Sequence, residues 1–262
     1  MMMDSIPDRD RSTAAKPRLL VFQHVDVEHP GIFRDFWRKA GIVWDAVELD
    51  AGEPIPDLDL YDALIVMGGP MDVWQEAEHP WLVAEKAAIR RFVHDLRRPY
   101  LGICLGHQLL AAALGGVVRL SATPEVGSGT VELTPAGAEA PLFAGMSGAV
   151  PAFQWHGAEV ASLPMECSVL ARNAACAVQA FRFGTVAYGI QFHIEITETT
   201  VPEWQRIPAY AASLEAALGP ERAAHLADDT AKRLAEFAAT ARQLNENFLQ
   251  VVAASANSTA RL

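Results

Sequence analysis

The sequence predicts an α/β protein built on a doubly wound, mostly parallel sheet flanked by helices, with a nucleophile elbow and a helical C-terminal extension. Three observations carry that expectation. Between residues 18 and 114, short apolar runs alternate with amphipathic stretches of helical length, the pattern of strands joined by crossover helices. In "YLGICLGHQLLAAAL" (100–114) an apolar run passes through Gly-x-Cys-x-Gly straight into a helix-like segment. From Glu203 onward the chain turns Ala-rich and helical, and apolar residues of its last long stretch recur every three or four positions.

Taken in order, "RLLVFQHV" (18–25) reads as a buried strand. "GIFRDFWRKA" (31–40) puts Ile32, Phe33, Phe36, Trp37 and Ala40 on one helical face. Strands follow at 43–49 and 61–70, the second stopped by Gly68-Gly69-Pro70. Trp81, Leu82, Ala88, Ile89, Phe92 and Val93 fit a helix over 81–94, which Pro99 closes off. The next strand is 100–103 and the next helix 106–114, ended by Gly115-Gly116. Strand-like pieces at 129–134, 176–184 and 186–196 indicate an antiparallel extension. In the last helical stretch Leu234, Phe237, Ala241, Leu244, Phe248 and Val251 form a stripe short of three heptads. That length suits packing on the sheet, with a homodimer contact as the alternative. No repeat or linker divides the chain. Residues 17–262 are therefore expected to form one domain, with a catalytic core over 18–197, a helical part over 198–262 and a loose tail over 1–16.

With 262 residues, 51% hydrophobic and 20% charged, the chain can bury a full core. Its formal charge of −11 argues against a broad surface for nucleic acid or anionic membranes, which needs clustered Lys and Arg. The polar N-terminus and the short "LLVF" after it fit neither a signal peptide nor a membrane span, so a cytoplasmic location is expected. Cys104, Cys167 and Cys176 are odd in number and lack CxxC spacing, which suggests neither a disulfide framework nor a cysteine zinc site. A zinc site from Cys104, His156 and His193 has no close-spaced ligand motif to support it.

The elbow carries the chemistry. Cys104 sits where a sharp turn exposes a nucleophile, and the flanking Gly102 and Gly106 leave room for the backbone to fold tightly. The positive end of the following helix favours a thiolate, and the Leu105 amide faces an oxyanion beside the sulfur. A nucleophilic cysteine also needs a base and an orienting group. In "YGIQFHIEI" (188–196) His193 and Glu195 lie two apart on a strand, so both point to one face. That spacing is long for an ideal hydrogen bond, so twist or a strand ending must close it.

These stretches, with the earlier "IVMGGP" (65–70), resemble the class I glutamine amidotransferase family, the Cys-His-Glu type, over residues 18–197. The resemblance includes the glutaminase domains of GMP synthase and the related γ-glutamyl hydrolases. It implies Cys104 as nucleophile, His193 as general base and acid, and Glu195 as its orienter. Gly69 would pair its amide with that of Leu105 as the oxyanion hole, and Gln108 would help hold the amino-acid end of the substrate. The segment "FQWHGAEV" (153–160) resembles a loop that contacts the substrate's α-amino group, which makes Trp155 and His156 substrate-binding candidates. Many members have proline between the histidine and the glutamate; Ile194 stands there instead and is expected to loosen the strand end.

The implied chemistry is cleavage of a γ-glutamyl amide through a γ-glutamyl thioester, with no metal or organic cofactor. The sequence carries no P-loop and no GxGxxG after a strand. The preferred reading is therefore a stand-alone hydrolase releasing glutamate and an amine or peptide, with Trp74 as a candidate wall of a leaving-group recess. A glutaminase subunit supplying ammonia to a separate synthetase is the first alternative. A non-catalytic partner-binding or redox-sensing protein is the second, and a sensor would not need Glu195.

Overall fold

The computed structural model describes residues 16–259 apart from residue 147. Of the tail expected over 1–16, all but Lys16 lies outside the described residues; Lys16 Nζ donates to the Ala40 carbonyl at 2.7 Å. Along the chain come β1 (Arg18–Gln23), α1 (Phe33–Ala40), β2 (Val43–Glu48), β3 (Ala63–Val66), α2 (Trp81–Arg90), β4 (Tyr100–Ile103) and α3 (Leu105–Ala113). There follow β5 (Val117–Leu133), a short α4 (Pro135–Ala138), β6 (Ala149–Ser162), β7 (Cys167–Arg172), β8 (Ala180–Phe183) and β9 (Ala187–Ile190). Three helices, α5 (Thr200–Trp204), α6 (Pro208–Ala231) and α7 (Leu234–Thr259), complete the described chain. None of the described helices is long and apolar enough to cross a membrane.

All nine described strands join one sheet in the order β2-β1-β3-β4-β9-β8-β7-β5-β6. Pairing is parallel from β2 to β9 and antiparallel from β9 onward. The inner parallel strands are buried on both faces, which is why they read as unbroken apolar runs. On one face Leu19, Val21, Ile65 and Ile103 pack with Phe33 and Trp37 of α1 and with Ala241, Leu244 and Phe248 of α7. On the other, Leu20, Phe22, Leu64 and Val66 pack with Leu82 and Ile89 of α2 and Leu109 and Leu110 of α3. Trp37 also donates to Asn245 Oδ1 at 2.8 Å, tying α1 to α7. The stripe from Phe237 to Val251 is thus buried on its own chain.

Several elements differ from the sequence expectation. The strand expected over 61–70 is only Ala63–Val66, because the chain after it turns into the loop that walls the site. The helix expected over 81–94 ends as α-helix at Arg90 and widens into a π turn over Arg91–Asp95. Residues 153–160 are not a loop but the middle of the long strand β6. The strand expected over 186–196 stops at Ile190, five residues before Glu195. Inside α6, Gly219 (φ 73°, ψ 162°) breaks the helix ahead of Pro220, which cannot donate and pushes its predecessor out of the α region.

Candidate active site

Between Ile103 and Leu105 the chain turns from β4 into α3, and Cys104 takes φ 52°, ψ −103°, a conformation sparsely populated by residues with a side chain. Both flanking glycines are steric requirements of this turn. A Cβ on Gly102 would lie 2.4 Å from the Gly106 carbonyl carbon, and one on Gly106 would lie 2.1 Å from the Val66 oxygen. The buried Tyr100 hydroxyl donates to the Gly106 carbonyl at 2.8 Å, and the Cys104 amide donates to Ile190 at 2.9 Å. The elbow is thereby stapled to its own strand and to its neighbour.

Past Ile190 the chain leaves the sheet. His193 exchanges both backbone bonds with Phe153 of β6 at 2.8 and 3.0 Å, so β6 fixes its position. Because residues 191–196 are no longer regular strand, Glu195 folds back and its Oε1 meets His193 Nδ1 at 2.6 Å. Its other oxygen accepts the Ile194 amide at 3.0 Å. The expectation that Ile194 loosens this geometry meets one opposing contact. Proline has no N–H, whereas Ile194 is fully buried and supplies a hydrogen bond that holds the carboxylate. Gly31 lets α1 approach the same corner: a Cβ there would sit 1.8 Å from the Glu195 carbonyl oxygen, which accepts from Ile32 at 2.8 Å.

With Nδ1 bound to Glu195, Nε2 is the ring nitrogen left for the thiol. The Trp204 ring meets the imidazole edge-on at 4.7 Å. Burial opposes a charge on His193, but Glu195 and the Cys104 sulfur outweigh it and hold the imidazole well above its ordinary range. His107, three residues past Cys104 in sequence, is buried against Phe181 and Gly189 instead. Burial pushes it down to about 3, which leaves it neutral.

Cys104 opens into a cleft of about 190 Å³ lined also by Gly69, Leu105, Gln108, Trp155, His156 and Tyr210. Gln108 Nε2 donates to Gln191 Oε1 at 3.1 Å and to the Ala158 carbonyl at 3.3 Å. Trp155 donates its indole N–H to Ser213 at 3.0 Å, and His156 Nε2 lies 3.3 Å from Glu125. Trp74 does not line this cleft and is 45% exposed.

Three residues at the site escaped sequence reasoning. Gln191 points its amide nitrogen at the Cys104 sulfur, 3.6 Å away. A polar residue between two apolar ones in "GIQF" was the available signal. Tyr210, on α6, donates its hydroxyl in a short bond to Glu28, in the loop after β1. Burial pushes Glu28 from an ordinary 4.5 up to about 7, against the pull of His193 and of the Tyr210 bond. Nothing local in the sequence joins two residues 182 apart.

A thiol on a strand-to-helix elbow and an imidazole held by a carboxylate just past the neighbouring strand, above a parallel sheet, bring together the three kinds of group that nucleophilic cysteine catalysis needs. The chain belongs to the glutamine amidotransferase class-I family, whose family model matches residues 37–204. It is 33% identical to the glutamine amidotransferase-like protein YfeJ of Salmonella typhimurium, over 68% of this chain and 75% of that one. It is 34% identical to the glutamine-hydrolyzing GMP synthase subunit of Saccharolobus solfataricus, over 56% of this chain and 74% of that one. A glutamine amidotransferase from Thermotoga maritima superposes with a TM-score of 0.79 at 28% identity, covering 90% of this chain and 99% of that one.

Proposed function

We propose that this chain, as a single unit over residues 17–262, hydrolyses glutamine or a γ-glutamyl amide with a small leaving group. His193 takes the Cys104 proton, and the thiolate attacks the γ-carbonyl carbon. The amides of Gly69 and Leu105 receive the negative charge that develops on oxygen. Collapse breaks the C–N bond as His193 returns its proton to the leaving nitrogen, freeing ammonia or an amine and leaving a γ-glutamyl thioester. Water then gives a proton to His193, attacks the thioester and releases glutamate, and the proton returns to the sulfur. Glu195 holds the imidazole tautomer and offsets its charge in each half-reaction. Gln108, Trp155 and His156 take the amino-acid end of the substrate.

The observation that carries the autonomous reading is the origin of the outer wall. Ala209, Tyr210 and Ser213 of α6 line the cleft, and the Glu28–Tyr210 and Trp155–Ser213 bonds tie α6 to the core. One wall of the cleft is thus supplied by this chain's own helical extension, which supports a site completed without a docked subunit. The cleft is of amino-acid size, and Trp74 lies outside it, which favours small leaving groups over bulky ones. The three free thiols suit a reducing, cytoplasmic setting.

The likeness to a glutamine-hydrolyzing GMP synthase subunit keeps a second reading in view, in which a separate synthetase collects the ammonia. The test gives the purified protein glutamine, γ-glutamyl methylamide and γ-glutamyl-p-nitroanilide, and follows free glutamate with Cys104→Ala as control. Turnover of the two small amides by the protein alone is the expected result. Silence on all three would favour the partner-dependent reading.

A further inference from the structure

Beneath the cleft lies a second histidine–carboxylate pair that the reaction above does not use. His24, in the loop after β1, is fully buried, as is Glu85 on α2. His24 Nδ1 lies 2.7 Å from the carbonyl oxygen of Gly68, and Nε2 lies 2.9 Å from Glu85 Oε1. A carbonyl oxygen only accepts, so Nδ1 carries a proton, and a second proton is shared between Nε2 and the carboxylate. Burial opposes charge on His24, but Glu85 outweighs it and raises the imidazole above its ordinary range. Trp81 stacks on the ring at 5.4 Å, which fixes its plane.

As a source of stability this arrangement is poor. Ion pairs taken fully out of water are often matched or bettered by apolar residues of the same shape. Here the other Glu85 oxygen, Oε2, is buried without a hydrogen-bond partner. What the pair does hold is one peptide unit. The bond from Gly68 to Gly69 is trans and planar, so its C=O and N–H point in opposite directions. Drawing the Gly68 oxygen down onto His24 turns the Gly69 N–H up, away from the pair. Neither glycine has a side chain, and none would fit: a Cβ on Gly68 would lie 2.5 Å from Glu28 Oε2, and one on Gly69 would lie 2.7 Å from Met71 Sδ and 3.0 Å from His24 Cβ. Without an anchor, a Gly-Gly peptide is among the easiest in a chain to turn.

We propose that His24 and Glu85 are positioning residues that lock the Gly68–Gly69 peptide with its N–H toward the cleft, so that the oxyanion hole is formed before substrate arrives. The inference rests on the reading of Gly69 as an oxyanion donor. It gives a physical reason for a site assembled within one chain: the donor is oriented by a buried group of the same fold, not by a docking partner.

His24→Leu alone would strand a buried carboxylate, so the test uses His24→Leu/Glu85→Leu, which replaces both polar groups with apolar ones. It is compared with His24→Asn/Glu85→Leu, in which an amide N–H near the position of Nδ1 still reaches the Gly68 oxygen. For the first variant kcat on glutamine should fall about 100-fold, the effect of losing one oxyanion donor. KM should stay within about threefold, and alkylation of Cys104 by iodoacetamide, which forms no oxyanion, within about twofold. The asparagine variant should recover to within about tenfold of the parent protein. Crystal structures of both should find the 68–69 peptide turned in the first and unturned in the second. An unturned peptide in the leucine variant, or kcat within about threefold of the parent, would overturn the proposal. If the parent protein cleaves no amide, the functional reading fails, and the peptide orientation in the leucine variant still decides whether His24 is the anchor.

Discussion

Along the parallel half of the sheet, the groups to which the proposed reaction is assigned sit where strands end: Cys104 after β4, His193 and Glu195 past β9, and Gly69 past β3. Across the antiparallel half and the helices beyond it lie the groups that shape the space in front of the sulfur, namely Trp155 and His156 on β6 and Tyr210 and Ser213 on α6. Parallel strands all deliver their carboxyl ends to one edge, so a short loop after each places a functional group at the same spot. Antiparallel strands and helices supply walls, whose cleft-facing side chains can vary while the β6 backbone still holds His193 in place. The family's chemistry therefore belongs to the first region, and what distinguishes this chain from its relatives is expected in the second.

The sharpest test of that division removes the nucleophile. Cys104→Ala should abolish glutamate release, and intact-mass measurement should find no thioester with any γ-glutamyl amide. Glu195→Gln, still in the parallel half, should lower kcat by about 10³-fold, since the imidazole loses its charged orienter. Peroxide oxidation of Cys104, followed by mass spectrometry, should barely change in the same variant. Equal loss of both would mean that Glu195 sets the reactivity of the thiol itself and not only the orientation and charge of the imidazole.

Glu28→Gln probes the seam between the two regions. A carboxyl raised from 4.5 to about 7 binds its proton more tightly in the folded than in the unfolded state. Stability from this group is therefore lost as pH rises from 4.5 through 7, and the ionised form costs up to about 3 kcal/mol. The glutamine variant keeps an acceptor for Tyr210 and escapes that penalty. Its melting temperature should exceed that of the parent at pH about 8 and converge with it near pH about 4.5. Parallel pH curves for the two proteins would refute the assignment.

Changes confined to the walls should be milder and selective. Tyr210→Ala widens the cleft beside Cys104 and should raise kcat/KM for γ-glutamyl-p-nitroanilide relative to glutamine about tenfold. An unchanged ratio would mean that α6 does not limit the leaving group. Ile194→Pro deletes the amide bond to Glu195 Oε2 and should reduce kcat by about threefold to tenfold, a loss near 1 kcal/mol. A gain in activity would indicate that proline's rigidity outweighs the hydrogen bond.

Legibility followed the same boundary. Gly102 and Gly106 around Cys104 announced a turn that no bulkier residue permits, and the apolar runs of β1, β3 and β4 announced burial on both faces. Trp155 and His156 line the cleft from strand β6 and not from a loop; Gln154, His156 and Glu159 interrupt the apolar run that would mark a strand. The strand over 186–196 was drawn too long because Phe192, Ile194 and Ile196 continue its alternation although their backbone has left the ladder.

By itself the sequence determined the sheet's parallel core and the elbow, and it singled out one thiol, imidazole and carboxylate as candidates, since each is marked by a pattern within about a dozen positions. Only the tertiary structure decided how Glu195 reaches His193, that the Ile194 amide meets the same carboxylate, and that Glu28 meets Tyr210 and His24 meets Gly68. The last two contacts join segments far apart in the chain, and the first two depend on where the strand ends; packing chooses all four, and no local pattern records it.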